Sequence, residues 1–265
     1  MILSPIEQSI KRKIESVGTP LKDWDINIYR GILTGYNDAF IISTEKRDEI
    51  LSNCQSEEER QRTDELIRPI LRGRDIKRYG YDWADLWIIN THNGIKGKID
   101  RIHIEKYPAV KAHLDKFWDK LSKRVDKGDT PYNLRNCAYM EDFYKPKIMY
   151  QELTQGSAFC LDRDAEFFIS NTGYLITGNN LNYLITLLNS RIIEYCFRKF
   201  YSISLGESGL RWLAQYIINL PIPILAKDSI KKFLEMNDQE QESYIFQLLD
   251  LSNEEIKAIS ESFNS

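Results

Sequence analysis

The sequence predicts an α/β protein of the α+β type, in which a twisted, mainly antiparallel sheet is flanked by helices and followed by a C-terminal helical segment. Three observations carry this. Strand-like apolar runs at 147–151, 158–161, 167–170 and 174–177 are separated by turn chemistry at 155–156, 162–164 and 171–173, which reads as a short antiparallel meander. Helical periodicity with capping signals frames the chain at both ends. The prolines of LPIPI, residues 220–224, forbid a helix and mark a boundary, dividing the chain into a domain at 1–225 and an acidic helical segment at 226–265.

In order along the chain, Ser4, Pro5 and Glu7 form a capping box that opens a helix with Ile6, Ile10, Ile14 and Val17 on one face and Lys11, Arg12 and Lys13 on the other. Gly18 stops it. A helix starting so abruptly predicts a chain cut from something longer. Residues 25–32 alternate through Ile26 and Ile28 as a half-buried strand, and Phe40, Ile41 and Ile42 form a second. Between them lies GILTGYND, residues 31–38, an apparent strand–loop–strand. Gly31 and Gly35 let backbone approach a ligand, while Thr34, Tyr36 and Asn37 supply hydroxyl and amide groups. The spacing lacks the full phosphate-loop and dinucleotide patterns, and a tight turn joining two strands accounts for it more simply.

Residues 44–53 and 57–68 read as exposed, charged helices. LIRPILRGRDIKRYG, residues 66–80, then carries Arg68, Arg72, Arg74, Lys77 and Arg78 against the single acid Asp75. Pro69 and Gly73 make it a helix end running into a shaped loop. Guanidinium forks match phosphate oxygens and the acceptor edge of guanine, so nucleic acid is the first partner indicated; a solvated charged face is the alternative. Residues 86–89 form a buried strand entering a turn at 92–94. Val110, Leu114, Phe117, Trp118 and Leu121 recur at helical spacing, with Lys111, Lys116, Lys120 and Lys123 facing water. A polar loop at 122–132 delivers PYNLRNCAY, where Tyr132, Arg135 and Asn136 bring together a stacking ring, a fork and an amide. Residues 180–200 form a long helix with a buried stripe of Leu184, Leu187, Leu188, Ile192 and Tyr195. A small-residue loop at 202–213 carries Arg211, and Ser252 to Glu255 forms a second capping box.

A chain of 265 residues buries a substantial core. Its net charge of −3 hides an asymmetry: residues 96–127 hold ten Lys and Arg against five acids, and residues 226–265 hold four Lys against nine acids. Cys54, Cys137, Cys160 and Cys196 are scattered, which argues against a disulfide framework or a thiolate metal site and fits a reducing cytoplasm. No apolar run approaches the ~20 residues of a membrane helix, and no signal-peptide pattern occurs, so a soluble, cytoplasmic protein is expected. His92, His103 and His113 lack metal-ligand spacing, and no nucleophile elbow is present. Asp64 with Asp75, Ile76 and Lys77 only superficially copies a Mg-dependent nuclease, and the neighbours Glu141–Asp142 and Glu254–Glu255 are poorly placed to converge on one site. No complete active site emerges.

The ordered motifs SPIEQSIKRKIESVGTPLKDWDINIYRGILTGYNDAF, IRPILRGRDIKRY, PYNLRNCAYMEDFYKPKIMYQEL, NTGYLITGNNLNYLITLLNSRIIEYCF and LPIPI closely resemble the TaqI-like C-terminal specificity domain. Such domains follow the methyltransferase domain in combined restriction-modification enzymes that methylate adenine. The resemblance covers almost the whole chain. It implies a target recognition domain that reads a short sequence from the major groove of double-stranded DNA while a separate domain flips and methylates the base. The Asn-Pro-Pro-Tyr signature and the glycine-rich S-adenosylmethionine loop are missing. This chain alone is therefore expected to be no enzyme and to bind no cofactor. S-adenosylmethionine, and Mg if a nuclease is present, belong to the parent, whose upstream methyltransferase domain is the expected protein partner; no membrane partner is implied. Carried over by motif, Thr34, Asn37, Arg72, Arg74, Arg78 and Tyr79 lie in shared framework that grips phosphates. The base readers then fall in the looser segments at 92–101, 124–135 and 204–211, with Arg135, Gln151 and Arg211 as candidates, and Tyr132 is a further DNA-binding candidate. A rival expectation is an interaction module, docking a methyltransferase or restriction subunit through the acidic tail and the 184–195 stripe.

Overall fold

The computed structural model describes residues 3–202 and 209–263. The predicted capping box opens α1 (Pro5–Val17): the Glu7 N–H donates to Ser4 Oγ at 3.2 Å and the Ser4 N–H to the Glu7 carboxylate at 2.8 Å. Two orphan donors are thereby satisfied, and Ile10 and Ile14 are fully buried. Next come β1 (Gly18–Pro20), β2 (Ile26–Arg30), α2 (Asn37–Phe40), β3 (Ile41–Ser43), α3 (Thr44–Ser52) and α4 (Glu57–Leu66). After β4 (Ile67–Leu71), the strands β5 (Ile76–Lys77) and β6 (Gly80–Tyr81) form a hairpin that leads to β7 (Leu86–Ile89). The helices α5 (Pro108–Asp115) and α6 (Trp118–Leu121) precede β8 (Lys147–Gln151), β9 (Leu153–Thr154), β10 (Phe159–Asp162), β11 (Phe168–Ile169) and β12 (Gly173–Gly178). The chain ends with α7 (Leu181–Leu188), α8 (Arg191–Cys196), β13 (Leu210–Arg211), α9 (Ala214–Ile217), β14 (Pro221–Pro223), α10 (Lys227–Glu235), α11 (Asp238–Leu248) and α12 (Asn253–Glu261).

Two four-stranded sheets organise these elements: an antiparallel one in the order β10-β8-β12-β2, and a mixed one in the order β11-β4-β7-β3. The first sheet is a partition buried on both faces. Side chains alternate across a strand, so Ile148, Tyr150, Phe159, Tyr174 and Ile176 enter one core with α1, α7 and α8, whereas Met149, Cys160 and Leu175 enter a second core with the other sheet and α5. Phe233, Ile245 and Ile259 of α10, α11 and α12, with Leu249 just past α11, add to the first core, and Lys13 of α1 pairs with Glu255 of α12 at 2.8 Å. The 184–195 stripe lies inside that core and is unavailable for docking a partner.

The α+β class is as predicted, but four local readings change. Residues 167–170 do not continue a meander: β11 crosses to the second sheet and pairs in parallel with β4, Phe168 opposite Ile70. Residues 67–71 are a buried strand rather than a helix end, and β11 covers only Ile70 and Leu71, leaving Pro69 outside that ladder. β2 and β3 belong to different sheets, so residues 31–40 form a crossover and not a tight turn. Both long helices are broken. The 107–121 stretch divides at Lys116–Phe117, leaving Trp118 43% exposed. The 180–200 stretch divides at Asn189, whose amide leaves the helix to accept from the Phe159 N–H (3.1 Å) and donate to the Phe159 carbonyl (2.9 Å) on the outer side of β10. Ser190 then caps α8. The LPIPI prolines lie in β14, which pairs with β1. Among the described residues no helix is long and apolar enough to cross a membrane.

Candidate nucleic-acid interface

The turn at 170–173, between β11 and β12, is where the two glycine-bearing motifs meet. The Gly31 N–H donates to the Gly173 carbonyl at 2.9 Å, and the Ile32 N–H to the Ile169 carbonyl at 2.8 Å. A Cβ on Gly31 would lie 2.0 Å from the Ser170 oxygen. From the other side the Gly73 N–H donates to Thr172 Oγ1 at 2.9 Å, and a Cβ there would lie 2.4 Å from the Thr172 oxygen. Gly35, with φ +70°, packs against Asp126. These glycines thus admit the protein's own backbone rather than a ligand.

Around this turn lies a cleft of about 820 Å³ lined by Arg30, Asn37, Arg72, Arg74, Gln151 and Glu152, among others. Four of the ten residues selected from sequence converge here: Asn37, Arg72, Arg74 and Gln151. Arg211 joins at the rim, donating from Nε (3.1 Å) and Nη2 (2.9 Å) to Glu152. Arg74 is exposed. Arg72 is more constrained: its Nε and Nη2 donate to the buried Asp75 carboxylate at 2.9 and 2.7 Å, and those bonds raise the guanidinium pKa further.

Arg30 escaped the sequence reading, because it stands on the Ile26 and Ile28 side of an alternating strand, where no ligand-facing group is sought. It is 55% exposed, donates from Nε to the Asn171 carbonyl at 3.0 Å, and faces Glu152 across 3.9 Å. It also borders a second cavity of about 310 Å³ with His92, Arg135 and Asn136 over an apolar floor of Leu134, Met140 and Phe143. Its position directly before Gly31 was the available signal.

Other predicted positions lie elsewhere. Thr34 is buried, accepts from the Tyr36 N–H and donates to Asn37 Oδ1 at 2.6 Å, so it orients Asn37 and does not face the cleft. Arg78 and Tyr79 occupy the tip of the β5–β6 hairpin, where Tyr79 takes a left-handed φ of 62°. They border a separate crevice of about 150 Å³ against Arg191 and Glu242. Tyr132 donates its hydroxyl to Asp115 at 2.6 Å and packs against Trp118, on the α5–α6 side. Arg135 lines the second cavity and pairs with Asp126 at 3.3 Å. Residues 203–208, most of the loop selected around Arg211, lie outside the described residues.

Arg124, in a segment expected to read bases, is buried instead. Its guanidinium donates to four carbonyls, those of Thr34, Asp126, Pro131 and Asn133, and stacks 4.6 Å from the Phe40 ring centroid. Burial pulls its pKa down to about 10, which leaves it charged at neutral pH. It ties the 31–37 crossover to the 124–135 loop. Among the described residues no three His, Cys, Asp or Glu are grouped to hold a metal ion. Asp64 pairs with Arg47 and Asp75 with Arg72, on separate elements.

The model of the TaqI-like C-terminal specificity domain matches residues 68–222, more than half of the chain. The chain belongs to this family. The specificity-domain match runs from β4 to β14 and takes in Arg72, Arg74, Gln151 and Arg211, while Arg30 and Asn37 fall before it. Among solved structures, this specificity domain is similar over 93% of its length to MmeI, described as a type IIL restriction-modification enzyme in complex with DNA, at 16% identity and a TM-score of 0.59. A second likeness, over 88% of the chain, is to the type IIG restriction endonuclease BpuSI, at 17% identity and a TM-score of 0.51. The matches span 36% and 28% of those chains, so the specificity domain covers about a third of their length. At these identities the likeness establishes a shared fold.

Proposed function

We propose that the chain is the DNA target recognition part of a restriction-modification enzyme, binding double-stranded DNA along the cleft beside the 170–173 turn. The observation that carries this is convergence: Arg30, the pair Arg72 and Arg74, and Arg211 come from three separate stretches of sequence and meet around Asn37, Gln151 and Glu152. Arginine forks suit phosphate and guanine, and a glutamine amide suits adenine. In this reading Arg72 and Arg74 hold phosphates, and Gln151 and Arg211 face base edges. Methyl transfer and any cleavage, with S-adenosylmethionine and Mg, are assigned to linked catalytic domains of a longer parent, as the size of the related enzymes supports.

The test is selection of bound duplexes from a randomised pool, followed by titration across a salt series. A short motif should emerge. Arg74→Ala should weaken all duplexes alike and lower the salt slope by about 0.9, the contribution of one phosphate contact. Gln151→Ala should instead reduce discrimination at one position, by about 1–3 kcal/mol. Failure to enrich any motif at moderate salt would remove this reading.

A further inference from the structure

An acid at the heart of an anion-binding cleft needs an explanation, and Glu152 is one. Its Oε1 accepts both Nε–H and Nη2–H of Arg211, at 3.1 and 2.9 Å, and its Oε2 lies 3.9 Å from Nη2 of Arg30. The backbone holds it in place, because its N–H donates to the Thr172 carbonyl (3.3 Å) and its carbonyl accepts from the Trp212 N–H (2.8 Å). The residue is thus pinned between the central turn and β13. The carboxylate is 18% exposed, whereas Arg30 and Arg211 are 55% and 49% exposed, so the acid sits beneath the two forks and they project past it.

The way each fork is held matters. Arg211 spends the side edge of its guanidinium, Nε and one Nη2 hydrogen, on Glu152. Arg30 likewise spends Nε on the Asn171 carbonyl and turns Nη2 toward Glu152. What remains is the end edge, Nη1–H and the second Nη2–H, two parallel donors that match the O6 and N7 acceptors of guanine. A phosphate approaching the same arginines meets the fixed negative charge of Glu152 as well, which opposes it. Every duplex offers phosphates everywhere, but only some base pairs offer O6 with N7.

Resting on the DNA-binding reading above, we propose that Glu152 is a specificity-determining positioning residue: it aims Arg211 and Arg30 at guanine edges in the major groove and suppresses their sequence-blind grip on phosphates. The prediction is counter-intuitive for a DNA-binding face, since removing the charge should tighten binding to the wrong DNA.

The experiment uses the 265-residue chain and the duplex selected as above, with a scrambled duplex for comparison. Glu152→Gln keeps the shape and removes the charge. It is expected to bind scrambled duplex roughly 3- to 10-fold more tightly, with a salt slope steeper by up to about 1.8 as two arginines turn to phosphates. Preference for the selected site should fall roughly 10-fold. Replacing the site's guanines by 7-deazaguanine, which lacks the N7 acceptor, should weaken wild type roughly 10-fold and Glu152→Gln much less. Glu152→Asp, which keeps the charge but withdraws it, provides the second variant: scrambled-duplex affinity should stay low while site preference falls. A purely structural role would weaken both duplexes together and lower the melting temperature. If Glu152→Gln leaves scrambled affinity, salt slope and preference unchanged while Arg74→Ala still weakens binding, this inference fails and the DNA reading stands. If no duplex binds wild type at any salt, both fail.

Discussion

Gly31→Ala tests whether the 170–173 turn is the fixed point of the cleft. The new methyl would lie 2.0 Å from the Ser170 oxygen and 2.6 Å from the Ile169 oxygen, both backbone atoms, whereas real Cβ contacts essentially never fall below 3.0 Å. The turn must therefore retreat by at least 3.0 − 2.0 = 1.0 Å. Such a shift breaks the 2.9 Å bond from Gly31 to Gly173 and the 2.8 Å bond from Ile32 to Ile169. Two lost hydrogen bonds cost about 2 kcal/mol and overpacking a further ~1–3 kcal/mol, so the expected destabilisation is about 3–5 kcal/mol. Urea denaturation at neutral pH measures it directly. Gly73→Ala presses on the same turn from the other side, with its Cβ 2.4 Å from the Thr172 oxygen. Once the turn has moved, the second methyl has less to displace, so the double variant should cost less than the sum of the singles by about 0.5–3 kcal/mol. A Gly31→Ala loss below about 1 kcal/mol, or strict additivity with Gly73→Ala, would refute the idea of a rigid shared turn.

Lys147 is fully buried with its ammonium 2.7 Å from Asp162, whose carboxylate also accepts the N–H groups of Glu166 and Phe167. Lys147→Met strands that carboxylate and should cost about 3–5 kcal/mol by urea denaturation; a loss under about 1 kcal/mol would mean that water reaches Asp162. Burial lowers the pKa of both His92 and His113, and His113 Nε2 lies 3.0 Å from the Ala39 carbonyl. Folded values below the unfolded value of about 6.5 mean that this contribution is present above pH 6.5 and is lost as pH falls through it. Melting temperature should fall from pH 7.5 to pH 5.5, roughly one unit either side of that value, and fall less in His113→Asn; an unchanged slope in that variant would contradict the assignment. Arg124→Met leaves four carbonyls without their donor. At ~1 kcal/mol net per bond it should cost about 3–4 kcal/mol in a melting experiment, and Arg124→Lys should recover only part, lacking the planar fork.

What could be read from sequence was local. The capping boxes at Ser4 and Ser252, the strands β7, β8 and β12, and the alternation of β2 follow from neighbours a few residues apart, and the structure agrees. The misreadings were of partners distant in sequence. Nothing in FFIS announces that β11 leaves its neighbours to lie beside β4, and Arg68 and Pro69 of IRPIL mask a buried strand. Gly31 and Gly35 suggest open backbone in sequence because a single sequence cannot show that Ser170 and Asp126 fill the space beside them. Arg78 and Tyr79 separated from Arg72 and Arg74 because the chain reverses at a non-glycine residue in the left-handed region, a turn with no Asn-Gly signal. Glu152 was passed over because an acid is not sought where phosphates are expected.

The amide of Asn189 has a consequence beyond breaking a helix. β10 ends the first sheet on one side, and an unpaired strand there would offer its N–H and C=O groups to any passing chain. At Phe159 both groups are already taken, by Asn189, and the carbonyl also receives the Tyr79 N–H at 2.8 Å. At Phe159 the margin is thus closed by one side chain and a hairpin tip rather than by a lysine. Arginines can thereby stay exposed along the cleft while this point of the sheet margin is kept from strand-to-strand pairing without added charge, by a residue remote from the cleft.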